Sequence, residues 1–171
     1  MNIIETERLA LRELNIDDLL ATWEIVCDEQ TMYAWNGAWT DEENLEGLQK
    51  QINSYSENGF GRWAVVLKET EKVIGICGLM WCDSDKERVL EIGYLFNRAF
   101  WHKGYATEAA IACKKYAFDI LGYNEVFSII KDNNYSAMNV AIRNGMLVRG
   151  SFIKHYKGVD MLNFIFSVRR V

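Results

Sequence analysis

The sequence contains no proline among its 171 residues, so the ends of its helices and strands must be set by glycine, asparagine and aspartate. It also lacks any apolar stretch close to the roughly 18 residues that a membrane-spanning helix needs. The opening residues, MNIIETERLALREL, meet charge too early for a secretory signal. We therefore expect a cytoplasmic protein that does not contact a membrane.

Cysteine is scarce, and the four cysteines present lack the close CxxC or CxxH spacing of a metal site. They are Cys27, Cys77, Cys82 and Cys113. In the absence of an export signal we expect them to be reduced, buried thiols, and we predict no bound metal. Basic residues are outnumbered, and the net charge of -5 argues against general nucleic-acid binding, which requires a basic face.

The length suits one domain spanning residues 1–171, because no repeat, low-complexity tract or linker interrupts the chain. Apolar periodicity predicts an α+β fold with a mixed sheet of about seven strands and about four helices. The predicted strands cover residues 7–13, 62–68, 72–81, 88–97, 125–130, 147–156 and 161–168. The predicted helices cover residues 15–28, 40–57, 107–121 and 134–143, and the second opens with a capping box at Thr40 and Glu43.

The segment FWHKGYATEAA, from Phe100 to Ala110, places a lysine and a glycine directly before a predicted helix. Backbone N–H groups at a helix N-terminus lack internal partners and carry partial positive charge, so they favour phosphate. Gly104 has no Cβ to block close approach, and Lys103 adds a full charge. The alternative is an ordinary strand-to-helix turn in which Trp101 belongs to the core. The segment matches neither the Walker nor the GxGxxG pattern, which disfavours nucleotide hydrolysis and hydride transfer.

The same segment, read from Trp101 to Ala109, resembles the acetyl-CoA loop of the GNAT N-acetyltransferases. It is most similar to the branch of the ribosomal-protein N-terminal acetyltransferases, which places tryptophan first in this loop. Three further segments agree in order with that branch: residues 6–12 (TERLALR), 91–94 (EIGY) and 134–146 (NYSAMNVAIRNGM). The resemblance covers nearly the whole chain. It implies a mostly antiparallel GNAT-type sheet and an acetyltransferase that uses acetyl-CoA.

The resemblance also implies a set of acetyl-CoA contacts. Backbone N–H groups of residues 103–106 would hold the pyrophosphate, while Asn134 and the strand edge at residues 94–96 would bind the pantetheine arm. The cofactor-binding candidates are Tyr94, Leu95, Phe96, Trp101, His102, Lys103, Gly104, Tyr105, Ala106, Thr107 and Asn134. Two positions depart from the branch. His102 replaces a small residue, often glycine, and Ala137 replaces a serine whose hydroxyl only Ser136 could supply.

Transfer to an amine requires that the amine lose a proton, which a carboxylate can accept directly or through water. Glu91 is the predicted catalytic residue, because it is a charge inside an apolar strand that would hold the cofactor. The alternative is a solvated side chain, or an ion-pair partner of Arg88 or Lys72. The resemblance further implies a bulge on this strand, for which Gly93 is a candidate, with close packing as the alternative.

The general acid and the acceptor are less determined by the sequence. Many GNAT enzymes carry a tyrosine on the late helix that protonates the thiolate, but Ala141 occupies the matching position here. Neither His102 nor His155 is a preferred candidate for this proton transfer. The predicted acceptor-binding residues are Tyr33, Trp35 and Trp39, with core packing as the alternative. The acceptor is predicted to be a small-molecule amine or a protein N-terminus, and the acidic net charge favours a cationic one.

Two other functions stay open. One is a non-catalytic acyl-CoA-binding sensor of the same fold, which the missing hydroxyls at Ala137 and Ala141 would allow. The other is a nucleotide-binding regulator, which the absence of a Walker loop disfavours. The oligomeric state is predicted to be a monomer or a homodimer.

Overall fold

A computed structural model describes all residues from Met1 to Val171 and shows an α+β fold built on one eight-stranded sheet. The strands are β1 (Asn2–Glu5), β2 (Leu9–Arg12), β3 (Arg62–Leu67), β4 (Lys72–Asp83), β5 (Arg88–Phe96), β6 (Glu125–Lys131), β7 (Leu147–Tyr156) and β8 (Val159–Arg169). The helices are α1 (Leu19–Val26), α2 (Asp41–Asn58), α3 (Tyr105–Asp119) and α4 (Tyr135–Arg143). The strand order is β1-β2-β3-β4-β5-β6-β8-β7, and only β5 and β6 pair in parallel. The predicted fold class is confirmed.

The sheet has eight strands because the N-terminal segment forms a hairpin where one strand over residues 7–13 was predicted. β1 pairs antiparallel with β2, and the Thr6 hydroxyl oxygen accepts from the N–H of Leu9 across the turn, at 3.0 Å. β1 is an edge strand of four residues with the sequence NIIE, and its side chains are half-buried or exposed. A stretch this short carries no alternating pattern, so the periodicity that identified the other strands missed it.

The helix starts follow local capping chemistry. The predicted capping box of α2 is confirmed: Thr40 Oγ1 accepts from the N–H of Glu43, and the Glu43 carboxylate accepts from the N–H of Thr40. α3 begins at Tyr105, two residues before the predicted start, because Gly104 serves as its N-cap with φ of +81°. α4 begins after Asn134, whose side-chain oxygen accepts from the N–H of Ala137.

Two hydrophobic clusters hold the helices on opposite faces of the sheet. The larger cluster joins β3, β4 and β5 to α3, and at its centre Trp63 is fully buried with its ring edge-on to Tyr116, 5.3 Å between centroids. The smaller one packs α1 and α2 on the other face through residues such as Ile25, Leu48 and Ile76. Replacing a buried aromatic residue with alanine costs about 3–5 kcal/mol, so Trp63 is a main anchor of the site-bearing strands.

The four cysteines differ in how deeply they are buried. Cys77 and Cys113 are buried free thiols with sulfur atoms 3.6 Å apart, whereas Cys27 and Cys82 are only partly buried. The expectation of buried thiols therefore fails for two of the four, because those two lie at the margins of the core. None of the helices is long and apolar enough to cross a membrane.

The middle of the sheet opens where its two parallel strands meet. β5 and β6 pair only at Glu91 and Phe127, and beyond this pair they diverge toward the C-terminal end of β5. The Ser128 hydroxyl donates to the carbonyl of Ile92 at 2.9 Å and closes the lower end of the gap. The rest of the β5 edge has no strand partner on this side. Its free backbone groups therefore face the region where α3 and α4 begin.

Candidate active site

Two cavities meet at the gap between β5 and β6. The first is a groove of about 370 Å³ along the start of α3 and one side of α4, and the second is a cavity of about 450 Å³ on the α2 side of the sheet. Four residues line both: Trp35, Tyr94, Asn134 and Ala137. The two cavities are therefore neighbours, separated by no more than these residues.

The groove gathers most of the predicted cofactor-binding residues. Those lining it are Tyr94, Leu95, Phe96, Trp101, His102, Gly104, Tyr105, Ala106, Thr107 and Asn134. Lys103 is the exception, because its side chain is exposed and its ammonium group lies 5.3 Å from the centre of the Phe100 ring. Its charge is therefore near the groove without forming its wall.

The turn before α3 leaves several donors free. His102 has φ of +62° and Gly104 has φ of +81°, so both occupy the left-handed region that favours glycine. The N-cap position has no side-chain cap, so the first N–H groups of α3 have no partner within the protein. Such donors beside a residue without a Cβ suit an anion such as a pyrophosphate. The positive φ of His102 also explains physically why glycine suits this position.

Trp101 belongs to the core and also lines the groove. Its indole Nε1 donates to the carbonyl of Phe96 at 2.8 Å, which ties the turn to the end of β5. Because the Phe96 carbonyl is engaged by Trp101, the free part of the β5 edge lies nearer to Tyr94 and Leu95.

Arg8 holds the turn from below, and sequence reasoning did not identify it. Its guanidinium donates to the carbonyl of Lys103 at 3.0 Å and forms an ion pair with Glu108, while its Cζ lies 4.5 Å from the centre of the Tyr105 ring. The Thr6 hydroxyl donates to the same carboxylate at 2.6 Å. These contacts, led by the Thr6 hydrogen bond, keep the pKa of Glu108 below its usual value despite partial burial. The only signal was that Thr6 and Arg8 both lie in the TERLALR segment.

The start of α4 forms the opposite wall of the junction. Asn134 is buried, and its side-chain oxygen accepts both from the N–H of Ala137 and from the hydroxyl of Tyr33, at 3.2 and 2.9 Å. The Tyr94 hydroxyl donates to the Ala137 carbonyl at 2.7 Å, and burial raises the pKa of this phenol, which therefore stays protonated. Both aromatic residues thus fix α4 against the gap, and the amide nitrogen of Asn134 is left for a ligand.

The predicted acceptor-binding residues divide between the two cavities. Trp39 lines the second cavity, with its ring packed over Gly47 of α2. Trp35 lines both cavities, and Tyr33 lines the groove and not the second cavity. Tyr33 therefore lies on the groove side, where its hydroxyl donates to Asn134, and its role in acceptor binding stays a prediction.

Glu91 lies in the second cavity beside the gap. Its carboxylate accepts from the N–H of Ile129 at 3.1 Å and so satisfies a backbone donor that the divergence of β5 and β6 leaves without a strand partner. It forms no ion pair with Arg88 or Lys72, so that alternative is wrong. Burial raises the pKa of Glu91, and the N–H of Ile129 only partly offsets this effect. A carboxylate with a raised pKa is a stronger base than an ordinary carboxylate and is suited to accept a proton.

Other predicted positions lie away from the reactive region or differ in geometry. The ladder between β4 and β5 runs without a register shift through Gly93, so the expected bulge is absent from this pairing. A Cβ at Gly93 would lie 3.4 Å from Cδ of Arg62, which is an ordinary contact distance, so packing alone does not require glycine there. Ala141 is buried, and His155 is exposed and pairs with Asp160 at the far end of β7.

Comparisons with known proteins agree with this geometry. A family model described as an acetyltransferase (GNAT) domain matches residues 8–147. A curated relative from Bacillus licheniformis, the uncharacterized N-acetyltransferase p20, is 33% identical over 136 residues, which are 78% of this chain and 76% of that one. A GNAT-family acetyltransferase structure from Bacillus anthracis is 24% identical, covers 97% of each chain and superposes with a TM-score of 0.82. A spermidine N-acetyltransferase from Vibrio cholerae, determined with CoA and spermine, is 19% identical over 96% of each chain, with a TM-score of 0.76.

Proposed function

This chain belongs to the GNAT acetyltransferase family, and on that premise we propose that it moves the acetyl group of acetyl-CoA to a primary amine by direct attack. The observation that carries the proposal is the meeting of the groove and the second cavity at Trp35, Tyr94, Asn134 and Ala137. Two substrates held side by side react as if at very high concentration, which is a large part of the rate advantage.

The residues of the groove fit acetyl-CoA. The unpaired N–H groups at the start of α3 would hold the pyrophosphate beside Gly104, where no Cβ intervenes. The free edge of β5 near Tyr94 and Leu95 would pair with the pantetheine amides, and the amide nitrogen of Asn134 would donate to the same arm. When bound, acetyl-CoA supplies an activated acyl group: a C–N bond forms, the C–S bond breaks, and one proton passes from the amine to the medium or to the thiolate.

The chain's own contribution to this chemistry is proton transfer and charge stabilisation. Glu91 would accept the amine proton, directly or through water, because its pKa is raised by burial. Backbone N–H groups on the unpaired edge of β5 would stabilise negative charge that develops on the acyl oxygen. A thiolate leaves readily, since thiol pKa values are about 8.5, and a strong general acid is not required.

Direct attack is favoured over an acetylated enzyme. Cys82 is the cysteine that lines the second cavity. Burial raises the pKa of Cys82 to about 12, so its thiol is protonated and weakly nucleophilic at neutral pH. Steady-state kinetics with both substrates varied should therefore give intersecting double-reciprocal lines. Parallel lines would contradict direct attack.

The first experiment is a melting curve with acetyl-CoA, beside ATP and NAD. A ligand at about 100 times its dissociation constant adds about 2.7 kcal/mol, which corresponds to about 5–10 °C for a domain of this size. We expect a shift with acetyl-CoA alone. An equal shift with ATP, or no shift with acetyl-CoA, would contradict the assignment of the groove.

The non-catalytic sensor is retained as a second candidate because α4 carries alanine at Ala137 and Ala141, so neither supplies a hydroxyl to the junction. A sensor would bind acetyl-CoA with the same thermal shift and acetylate no amine. Release of CoA thiol that depends on an added amine separates the two functions.

A further inference from the structure

The second cavity contains the guanidinium of Arg62, which has no hydrogen-bond or ion-pair partner in the protein. Burial lowers the pKa of Arg62, and the charge of Glu91 in the same cavity partly offsets this effect. Arg62 opens β3, and its Nε is fully buried and donates no hydrogen bond. Arg62 takes part in none of the protein's ion pairs. Burying the Nε–H group without an acceptor is costly, so it points to a ligand.

The sheet is built to place Arg62 in this cavity. Arg62 is opposite Gly78 on β4, and Gly78 is opposite Gly93 on β5, so two glycines continue its row across the sheet. The stem of Arg62 lies over Gly93, where a Cβ would approach its Cδ to 3.4 Å. An alanine at Gly93 would come into contact with the stem. The absence of a side chain at Gly93 therefore leaves room for Arg62, whereas at Gly78 the place of a Cβ is already taken by the backbone of Gly61 and Arg62.

A second donor without a partner lies in the same cavity. The indole Nε1 of Trp39 is buried and makes no hydrogen bond, and Trp39 and Arg62 both line the second cavity. Arginine and the tryptophan N–H can donate but cannot accept. The pair therefore selects a ligand rich in acceptor oxygens.

The other charges of the cavity agree with an anionic ligand. The cavity is lined by four cations, Lys50, Arg62, Lys131 and Lys154, and none of them forms an ion pair within the protein. It is also lined by three carboxylates, Glu43, Glu46 and Glu91. Glu43 is paired with Lys157 of the β7–β8 turn at 2.6 Å, and Glu91 is bound to the N–H of Ile129. Because Lys157 neutralises Glu43, two carboxylates face four cations, so the cavity is locally basic although the whole chain is acidic. This contrasts with the cationic acceptor that the net charge favoured.

From these observations we infer that the acceptor amine carries an oxyanion, either a carboxylate or a phosphate. The oxyanion binds Arg62 and the indole N–H of Trp39, while the amine faces Glu91 and the junction with the groove. Guanidinium binds either oxyanion in bidentate geometry. The inference rests on the proposed function and adds the acceptor's chemical class. Arg62 acts in this account as a specificity residue, not in proton transfer.

The test compares matched amines with and without the oxyanion. The pairs are 4-aminobutyrate with 4-aminobutanamide, methionine with methioninamide, and phosphoethanolamine with ethanolamine, and spermidine serves as a cationic acceptor. The variants are Arg62→Met, which keeps the apolar stem, Arg62→Lys, which keeps the charge, and Arg88→Met as a control. Arg88 is exposed on the same sheet and lies outside the cavity.

We expect Arg62→Met to lower kcat/KM for an accepted anionic amine by about 10- to 100-fold, as loss of a hydrogen-bonded charge pair does. Its uncharged partner should change little, Arg62→Lys should recover part of the loss, and Arg88→Met should change neither. Comparing each amine across variants removes differences in amine basicity. An equal loss for charged and uncharged partners would assign Arg62 a structural role, and a preference for spermidine would reverse the charge assignment. Either result overturns the inference.

A binding measurement keeps the inference testable if no amine in the panel is acetylated, which would count against the proposed function. Here the probes are N-acetylmethionine, N-acetylmethioninamide and inorganic phosphate, added to the protein with CoA. We expect an oxyanion to raise the melting temperature of the wild type and Arg88→Met more than that of Arg62→Met. Equal shifts in all three proteins, or no shift with either oxyanion, would overturn the anion site without reference to turnover. A response to phosphate but not to the carboxylate would identify the oxyanion as phosphate.

Discussion

Replacing Gly104 with alanine should separate acetyl-CoA binding from folding. Gly104 is the N-cap of α3 with φ of +81°, and a Cβ there would lie 3.4 Å from the guanidinium of Arg8. The same Cβ would stand beside the free N–H groups at the start of the helix. The substitution therefore strains the backbone and also obstructs the approach of a phosphate.

The structural cost of Gly104→Ala can be worked from its backbone angle. A residue with a Cβ pays roughly 1–2 kcal/mol in the left-handed region. For a domain of this size that amounts to a fall in melting temperature of about 2–8 °C. Losing even one charge-assisted hydrogen bond to the pyrophosphate removes about 1.5–3 kcal/mol of binding free energy, so affinity should fall by at least about tenfold. Gly104→Val, with a β-branched side chain, should abolish measurable binding.

Gly122→Ala is the matched control. Gly122 follows the other end of α3 with φ of +75°, and a Cβ there would meet no atom within 4 Å. It should pay a similar backbone cost while leaving the groove unchanged. Melting curves and calorimetric titration with acetyl-CoA, at a temperature where all variants are folded, give both quantities. Similar melting losses in the two alanine variants, with unchanged affinity in Gly104→Ala, would refute the assignment of the turn as the pyrophosphate site.

Four further predictions rest on particular contacts. Glu91→Gln keeps an acceptor for the N–H of Ile129 but cannot take a proton. It should therefore slow turnover and remove the acid limb of the pH–rate profile, with acetyl-CoA affinity nearly unchanged. An unaltered pH–rate profile would exclude Glu91 as the base. Because the folded-state pKa of Glu91 is raised, its ionisation costs stability as the pH rises through that value. Glu91→Gln should therefore have a higher melting temperature than the wild type at pH 8, and should show no such gain at a pH below the ordinary carboxyl pKa. A lower melting temperature for Glu91→Gln at pH 8 would contradict the raised pKa. Arg8→Gln should weaken acetyl-CoA binding severalfold, which corresponds to about 1 kcal/mol of binding free energy. Arg169→Gln, which breaks an exposed ion pair away from the groove, should leave the affinity unchanged. Equal affinities in the two variants would assign Arg8 to folding alone. Thr40→Ala should lower stability by about 1 kcal/mol through loss of the α2 cap, seen as a lower melting temperature with acetyl-CoA affinity intact.

The sequence predicted features that depend on neighbouring residues. The α2 cap at Thr40 and Glu43 is encoded three residues apart, and the turn at Gly104 is encoded in one short segment. The central strands were found from their apolar runs because both of their faces are covered. The edge strand β1 was missed because four residues of NIIE contain too little periodicity to be distinguished from a loop.

The parts of the site that the sequence did not predict depend on contacts between distant segments. Arg8 reaches Lys103 and Glu108 across about a hundred positions of chain, and no local pattern marks such a pair. The sequence predicts Arg62 only as the first residue of a strand. Its position beside Gly78 and Gly93 depends on the pairing of three strands, which the sequence does not give. Net charge likewise did not predict the charges of the second cavity, because its lysines and Arg62 differ in sign from the net charge of the chain.

The most direct test of the account is whether the protein acetylates an amine at all. Acetyl-CoA would be mixed with the wild type and with each amine of the panel, and both the released thiol and the mass of the amine product would be measured, with protein-free and Gly104→Val reactions as controls. The account predicts one acetyl group on the amine for each thiol released, with the signal lost in Gly104→Val. Thiol release without acetylated amine, or acetyl-CoA binding with no transfer to any amine including protein N-termini, would contradict it and favour the sensor.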